Sequence, residues 1–160
     1  MSENKVAVYP GSFDPITNGH ISVLKRALAI FDHVYVAVAS NDKKECLFTS
    51  VEREELAKEA LKNFPNVTAE RFDGLLVDYC KKRNARVMIR GLRAVSDFDH
   101  EFQLALVNRR LDKNIETVFF MTSYKYSYLS SSLIRSLAKL KGDFSGLVPE
   151  NIEKKIMEKF

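Results

Sequence analysis

Val6-Ala7-Val8-Tyr9-Pro10-Gly11-Ser12-Phe13-Asp14-Pro15-Ile16-Thr17-Asn18-Gly19-His20-Ile21 is the stretch whose reading decides the fold. Residues 6–9 carry the apolar and aromatic types that suit a buried strand, and the Pro/Gly-bearing turn behind them ends it. From Ile21 the period changes: Ile21, Leu24, Leu28 and Phe31 recur at spacings of three and four, which predicts a helix with one apolar stripe.

The same alternation continues along the chain. Strand-like runs fall at residues 34–39, 67–71, 87–90 and 117–121. Between them lie helical patterns built on Leu56, Ala60, Leu61 and Phe64, on residues 75–82, and on Phe98, Phe102, Ala105 and Leu106, each expected to face a core. Two more helices are predicted after the last strand, at residues 131–140 and 149–160, the second lined by Ile152, Ile156 and Phe160. Five strands alternating with helices predict an α/β fold, a doubly wound five-stranded parallel sheet with helices on both faces, because right-handed crossovers produce that arrangement. The strands read as continuous Val, Ile, Ala and Phe runs, as expected when both faces are covered. At 160 residues, with no linker or repeat, the chain (1–160) reads as a single domain.

Composition narrows the function classes. Apolar residues make up 46% and charged residues 29%, which argues against disorder. No N-terminal apolar segment of a signal peptide and no run of 18 apolar residues occurs, so neither secretion nor membrane spanning is expected, and the setting reads as cytoplasmic. Cys46 and Cys80 stand 34 positions apart without a CxxC pattern, which gives no support to a zinc site or a disulfide framework. A net charge of +4 suits an anionic partner. Most of the excess lies between Lys81 and Arg110, where Lys81, Lys82, Arg83, Arg86, Arg90, Arg93, Arg109 and Arg110 face only Asp97, Asp99 and Glu101.

In a sheet of this kind ligands bind beyond the carboxyl ends of the strands. After the first strand, Gly11 beside Ser12 lets backbone approach a ligand, and the following helix start offers N–H groups to an anion, with His20 in its first turn. The stretch is neither GxGxxG nor a P-loop, which removes the main support for dinucleotide oxidoreduction and P-loop hydrolysis. The second strand ends in a polar loop holding Lys43 and Lys44, and the third in Asp73-Gly74-Leu75-Leu76, a turn opening a helix. After the fourth stands Arg90-Gly91-Leu92-Arg93, whose planar guanidinium forks suit phosphate oxygens; the alternative is pairing with Asp97, Asp99 or Glu101. The fifth leads to Tyr126-Ser127-Tyr128-Leu129-Ser130-Ser131-Ser132-Leu133-Ile134-Arg135. A helix cap needs one serine, so the remaining hydroxyls and N–H groups form a plausible second anion cradle, opposite His20.

Thr17-Asn18-Gly19-His20 and Ser130-Ser131-Ser132-Leu133-Ile134-Arg135 together resemble the paired signature of the nucleotidyltransferase superfamily. More narrowly, Pro10-Gly11-Ser12-Phe13-Asp14-Pro15, Ile89-Arg90-Gly91-Leu92-Arg93-Ala94-Val95-Ser96-Asp97-Phe98 and the stretch from Tyr126 to Ser132 resemble the bacterial phosphopantetheine adenylyltransferases, over essentially the whole chain. The resemblance implies a Rossmann-like nucleotidyltransferase fold and the joining of ATP to 4′-phosphopantetheine, giving dephospho-coenzyme A and pyrophosphate in coenzyme A synthesis. It also implies a catalytic set of His20, Lys44 and Arg93. Ser12 and Phe13 would touch both substrates, His20 the ATP α-phosphate, and Gly91, Leu92, Arg93, Glu101, Tyr126, Ser127, Tyr128, Leu129, Ser130, Ser131 and Ser132 would contact ATP. Lys44, Leu76 and Arg90 would hold the acceptor, Leu76 along the pantetheine arm and Arg90 at its phosphate. A substrate-associated magnesium ion (Mg2+) and a homohexamer are further implications. The chain departs from the pattern at Glu45-Cys46, where many members carry Lys-Pro.

Such a reaction needs positioning and charge neutralisation more than covalent help, and the attacking phosphate is already an anion, so no side-chain base is required. Two rivals stand beside this reading. One is a sibling transferase with another phosphate acceptor. The other is a nucleic-acid-binding module suggested by the basic segment, against which stand the absence of Trp and of any recognised nucleic-acid signature.

Overall fold

The computed structural model describes residues 4–40 and 45–160. Five parallel strands form one sheet: β1 Val6–Gly11, β2 His33–Ala39, β3 Val67–Phe72, β4 Val87–Leu92 and β5 Glu116–Met121, in the order β3-β2-β1-β4-β5. The crossovers carry α1 Asn18–Ala27, α2 Ser50–Ala60, α3 Leu76–Lys82 and α4 Val95–Leu111, and α5 Ser131–Lys139 and α6 Glu150–Met157 follow β5. All five expected strands are present, several longer than the sequence suggests; β1 continues through Pro10 and Gly11.

Alternation along the strands divides the interior. Ala7, Tyr9, Val34, Val36, Val38 and Ile89 meet α1, α2, α5 and α6 in the larger core, where Leu24, Ile134, Ile152 and Ile156 are buried. Val8, Ala37 and Met88 point the other way and meet Val77, Tyr79 and Cys80 of α3. The central strands fit the expectation of two covered faces. The edge strands do not, since β3 reads Val-Thr-Ala-Glu-Arg-Phe and β5 has no fully buried residue.

Two expectations need correction. The stripe Phe98, Phe102, Leu106 was expected to face a core, yet no residue of α4 is buried and all three are more than a third exposed. This chain supplies only part of the cover that helix needs. Phe160 lies beyond the end of α6 and is exposed, so Ile152 and Ile156 alone carry that helix's packing.

What positions the site is the seam between β1 and β4. β1 pairs with β2 from Val6 to Gly11, and β4 pairs with β5 from Val87 to Leu92. Between β1 and β4 the ladder holds only Ala7 to Val87 and Val8 to Met88. Beyond that point the two strands part, and the crevice opens at the topological switch point where their connections leave for opposite faces.

Candidate active site

A cavity of about 300 Å³ fills that crevice, lined from three stretches of chain: Tyr9 to Asp14 with Thr17, Gly19, His20 and Val23; Arg90, Gly91 and Arg93; and Thr122, Leu129, Ser130, Ser131 and Arg135. The start of α1 and the start of α5 therefore open onto one space, as the sequence predicts.

His20 is fixed by the helix it starts. Thr17 caps α1, and His20 occupies the third helical position, where its ring takes the place of the usual Glu or Gln in a capping box. The Thr17 backbone N–H donates to His20 Nδ1 at 3.0 Å. A backbone N–H can only donate, so Nδ1 is unprotonated and the ring proton of the neutral imidazole sits on Nε2. Burial, with the Arg93 and Arg90 charges adding to it, pushes the His20 pKa down to about 4, which keeps the ring neutral near pH 7. Phe13 meets this ring at 5.0 Å and Tyr9 meets Phe13 edge-on at 5.5 Å, forming an aromatic wall.

The corner after β1 is held from below. Phe13 has φ of 47°, a left-handed conformation that costs a non-glycine residue about 1–2 kcal/mol, and the residue is 3% exposed. A Cβ on Gly11 would stand 3.0 Å from the Phe13 ring, so a side chain there would press Phe13 out of its place against His20. The buried Asp14 carboxylate accepts the Leu47 and Phe48 backbone N–H groups at 2.8 and 2.9 Å. Arg135 donates to the Asp14 carbonyl at 2.6 Å.

The opposite wall is ionic. Arg90 Nε and Nη2 donate to the two Glu101 oxygens at 2.6 and 2.8 Å, and Nη1 reaches across the parted strands to the Pro10 carbonyl at 3.2 Å. Burial works against the Arg90 charge, but Glu101 outweighs it and holds the guanidinium more firmly protonated. Arg93 donates through Nε and Nη2 to Asp97 at 3.1 and 3.2 Å, and Nη1 lies 3.4 Å from the Leu129 carbonyl. Burial raises the Asp97 pKa, but hydrogen bonds from the Arg93 side chain and backbone hold it below the ordinary carboxylate range. The carboxylate pairing weighed as an alternative in the sequence is thus the arrangement of both arginines here. Gly91 lets α1 approach, since a Cβ there would sit 3.1 Å from Val23 Cγ2.

At α5 the three serines divide their tasks. Ser130 caps the helix through the Leu133 N–H at 3.1 Å, Ser131 donates to the Pro15 carbonyl at 2.8 Å, and Ser132 lies 3.1 Å from the Ser130 hydroxyl. The hydroxyls are largely occupied, which leaves the first N–H groups of the helix as the anion donors at this end.

Several expected site residues lie elsewhere. Leu92, Glu101, Tyr126, Ser127, Tyr128 and Ser132 do not line this cavity; Tyr126 packs against the core and Tyr128 is 61% exposed. Leu76 and Glu101 line a second cavity of about 220 Å³ with Met88, Leu104, Asn108 and Thr117, and Arg90 borders both cavities. Lys44 lies outside the described residues. Sequence reasoning missed Asp14, Thr122, Arg135 and Val23 in the first cavity, and Asn108 and Thr117 in the second. Among the described residues no group of three or more His, Cys, Asp or Glu is placed to hold a metal ion.

Residues 8–137 match the family model described as cytidylyltransferase-like. The chain is 53% identical over 159 residues to a phosphopantetheine adenylyltransferase of Oleidesulfovibrio alaskensis, covering 99% of this chain and 94% of that one. It is 54% identical to the protein of the same name from Caldanaerobacter subterraneus subsp. tengcongensis, covering 98% of each. The crystal structure of a putative nicotinate-nucleotide adenylyltransferase from Vibrio parahaemolyticus superposes with a TM-score of 0.71 at 17% identity, over 97% of this chain and 99% of that one, a likeness of fold.

Proposed function

The chain belongs to the cytidylyltransferase-like family and, within it, to the phosphopantetheine adenylyltransferases, and from that premise we propose how the two cavities that Arg90 borders work together. The protein transfers the adenylyl group of ATP to 4′-phosphopantetheine, giving dephospho-coenzyme A and pyrophosphate, a step of coenzyme A synthesis.

The observation that carries the proposed arrangement is the place of Arg90 on the border of both cavities. One cavity is cationic and rich in N–H donors, which suits a triphosphate. The other mixes Leu76, Met88 and Leu104 with Asn108 and Thr117, which suits an amide-bearing arm. An acceptor lying along the second cavity would end with its phosphate at Arg90, facing an ATP α-phosphate held beside His20.

An acceptor phosphate oxygen then attacks the α-phosphorus in line, the bond from that phosphorus to the bridging oxygen breaks, and pyrophosphate leaves. The acceptor is already ionised, so no side chain has to remove a proton. His20 donates its Nε2–H to an α-phosphate oxygen as charge grows there. The Thr17 N–H fixes the proton on that nitrogen in advance, so no reorganisation is needed during the step. Arg93 and the α5 N–H groups receive the leaving pyrophosphate, and Arg90 anchors the acceptor. Ser12 and Phe13 line the space between the two phosphates. Magnesium would arrive as part of the ATP complex and supply charge neutralisation there, since the buried Asp14 carboxylate is already engaged by two backbone N–H groups and offers no cage of its own.

A homohexamer is proposed on the strength of α4, whose Phe98, Phe102, Leu106 and Val107 stay exposed on this chain. Light scattering of the purified protein checks it. A cytoplasmic setting is supported by two unbridged cysteines, Cys46 and Cys80.

One assay tests the activity. Protein supplied with magnesium, ATP and 4′-phosphopantetheine should release pyrophosphate, and unphosphorylated pantetheine in place of the acceptor should abolish release. Release that persists with pantetheine would overturn the role given to Arg90.

A further inference from the structure

Arg53, in the first turns of α2, is 1% exposed, and none of the ion pairs among the described residues includes it. Its guanidinium is held by main-chain carbonyls from three segments. Nε donates to the Phe48 carbonyl at 3.2 Å, and Nη1 donates to the Ser12 carbonyl at 2.6 Å and the Ala39 carbonyl at 2.9 Å. A buried charge whose partners among the described residues are all carbonyls is a costly way to fill space, and an apolar residue of similar volume would pack there with less penalty.

The Ser12 contact gives that charge a use. In a trans peptide the C=O and the N–H point in opposite directions. With the Ser12 oxygen turned inward onto Arg53, the Phe13 N–H of the same peptide faces away from it. Ser12 and Phe13 both line the first cavity, and the Phe13 N–H donates to no acceptor among the described residues. A cation on the carbonyl oxygen also polarises the peptide and strengthens its N–H as a donor.

We propose that Arg53 is a positioning residue for adenylyl transfer: it turns and polarises the Ser12–Phe13 peptide so that the Phe13 N–H is presented to substrate phosphate oxygens. This rests on reading the Ser12–Phe13 corner as a phosphate contact. Arg53 itself touches no substrate.

Amide spectra of the full-length protein, titrated with ATP and separately with adenosine, test it. The Phe13 amide of the wild type should move downfield with ATP and stay in place with adenosine. In Arg53→Met that response should vanish and ATP should bind about tenfold more weakly, while adenosine affinity is unchanged. A merely structural role would lower the melting temperature and weaken both ligands together, which overturns the proposal. Should Arg53→Met fail to fold, Arg53→Lys serves instead. It keeps the charge without the fork, and about threefold weaker ATP with unaltered adenosine is expected. A folded variant whose Phe13 amide and ATP affinity match the wild type overturns the role of Arg53 and leaves the corner's reading intact. A wild-type Phe13 amide indifferent to ATP removes the reading of the corner, and the proposal with it.

Discussion

The two walls of the first cavity are built on different terms. Along β1 and α1 the key groups rest chiefly on main chain: His20 on the Thr17 N–H with the Thr17 hydroxyl beside it, Asp14 on the Leu47 and Phe48 N–H groups with Arg135 at 3.6 Å, and Arg53, reaching in from α2, on three carbonyls. Along β4 and α4 the two arginines rest chiefly on carboxylates, Arg90 on Glu101 and Arg93 on Asp97. Main-chain partners cannot leave without unfolding the corner, whereas an arginine can exchange its carboxylate for a phosphate of the same charge sign. The first wall is fixed before substrate arrives and suits transition-state work. The second is filled by stand-ins for the ligand and suits binding and release.

Changing His20 probes the fixed wall and should have the largest effect. His20→Ala is expected to lower kcat by about 10²- to 10³-fold with KM little altered, the cost of one preorganised donor. Steady-state kinetics that raise only KM would put His20 on the same footing as the arginines and erase the contrast. On the other wall, Arg90→Ala should weaken phosphopantetheine by about 30-fold and ATP by no more than a few-fold, measured by calorimetric titration. Equal weakening of both would undo the division between the two cavities.

Asp97→Asn gives a smaller effect of opposite sign. If Asp97 is a stand-in for phosphate, its neutralisation frees Arg93, and ATP should bind up to about threefold more tightly at low salt, a change on the scale of a partly exposed ion pair. Weaker binding would mean that Asp97 holds Arg93 in place for ATP. Smallest is the pH response. Because the folded-state pKa of His20 lies near 4 and its ordinary value is 6.5, the unfolded chain takes up that proton first. The stability this ring contributes is complete above about pH 6.5 and is lost as pH falls towards 4. Urea titrations at pH 7 and pH 4.5 should show a smaller drop for His20→Ala than for the wild type, and the two proteins should give kcat/KM profiles of the same shape from pH 8 to 6, set by the substrate phosphates.

These contrasts follow how the site could be read from the chain. His20 was legible because the residues that hold it are local: Thr17 and the ring lie three positions apart in one capping box. The arginines were legible as cations at a strand end, and so were their two possible fates, since Asp97 and Glu101 follow within one helix. Arg53 was not. In Val51-Glu52-Arg53-Glu54-Glu55 it reads as one more charge on a solvated helix face, and its Ser12 and Ala39 partners lie 41 and 14 residues away. Asp14 was hidden in the same way by amides more than 30 residues distant. The strands were legible from their apolar runs, and the parting of β1 from β4 was not, because a ladder that stops early leaves no mark on either sequence. The stripe on α4 was read correctly as apolar and wrongly as buried, since periodicity says that a face needs cover without saying which chain supplies it.

The early separation of β1 from β4 also bears on when the protein can first work during its own synthesis. The cavity needs the segment around residue 12, the arginine pair near residue 90 and the start of α5, and Arg135 clasps the Asp14 carbonyl across 121 positions. A nascent chain that has emerged only through β4 carries the β1 corner and Arg90 but lacks Arg93, α4 and the α5 end of the cavity. Competence to hold ATP therefore comes late, when α5 leaves the ribosome.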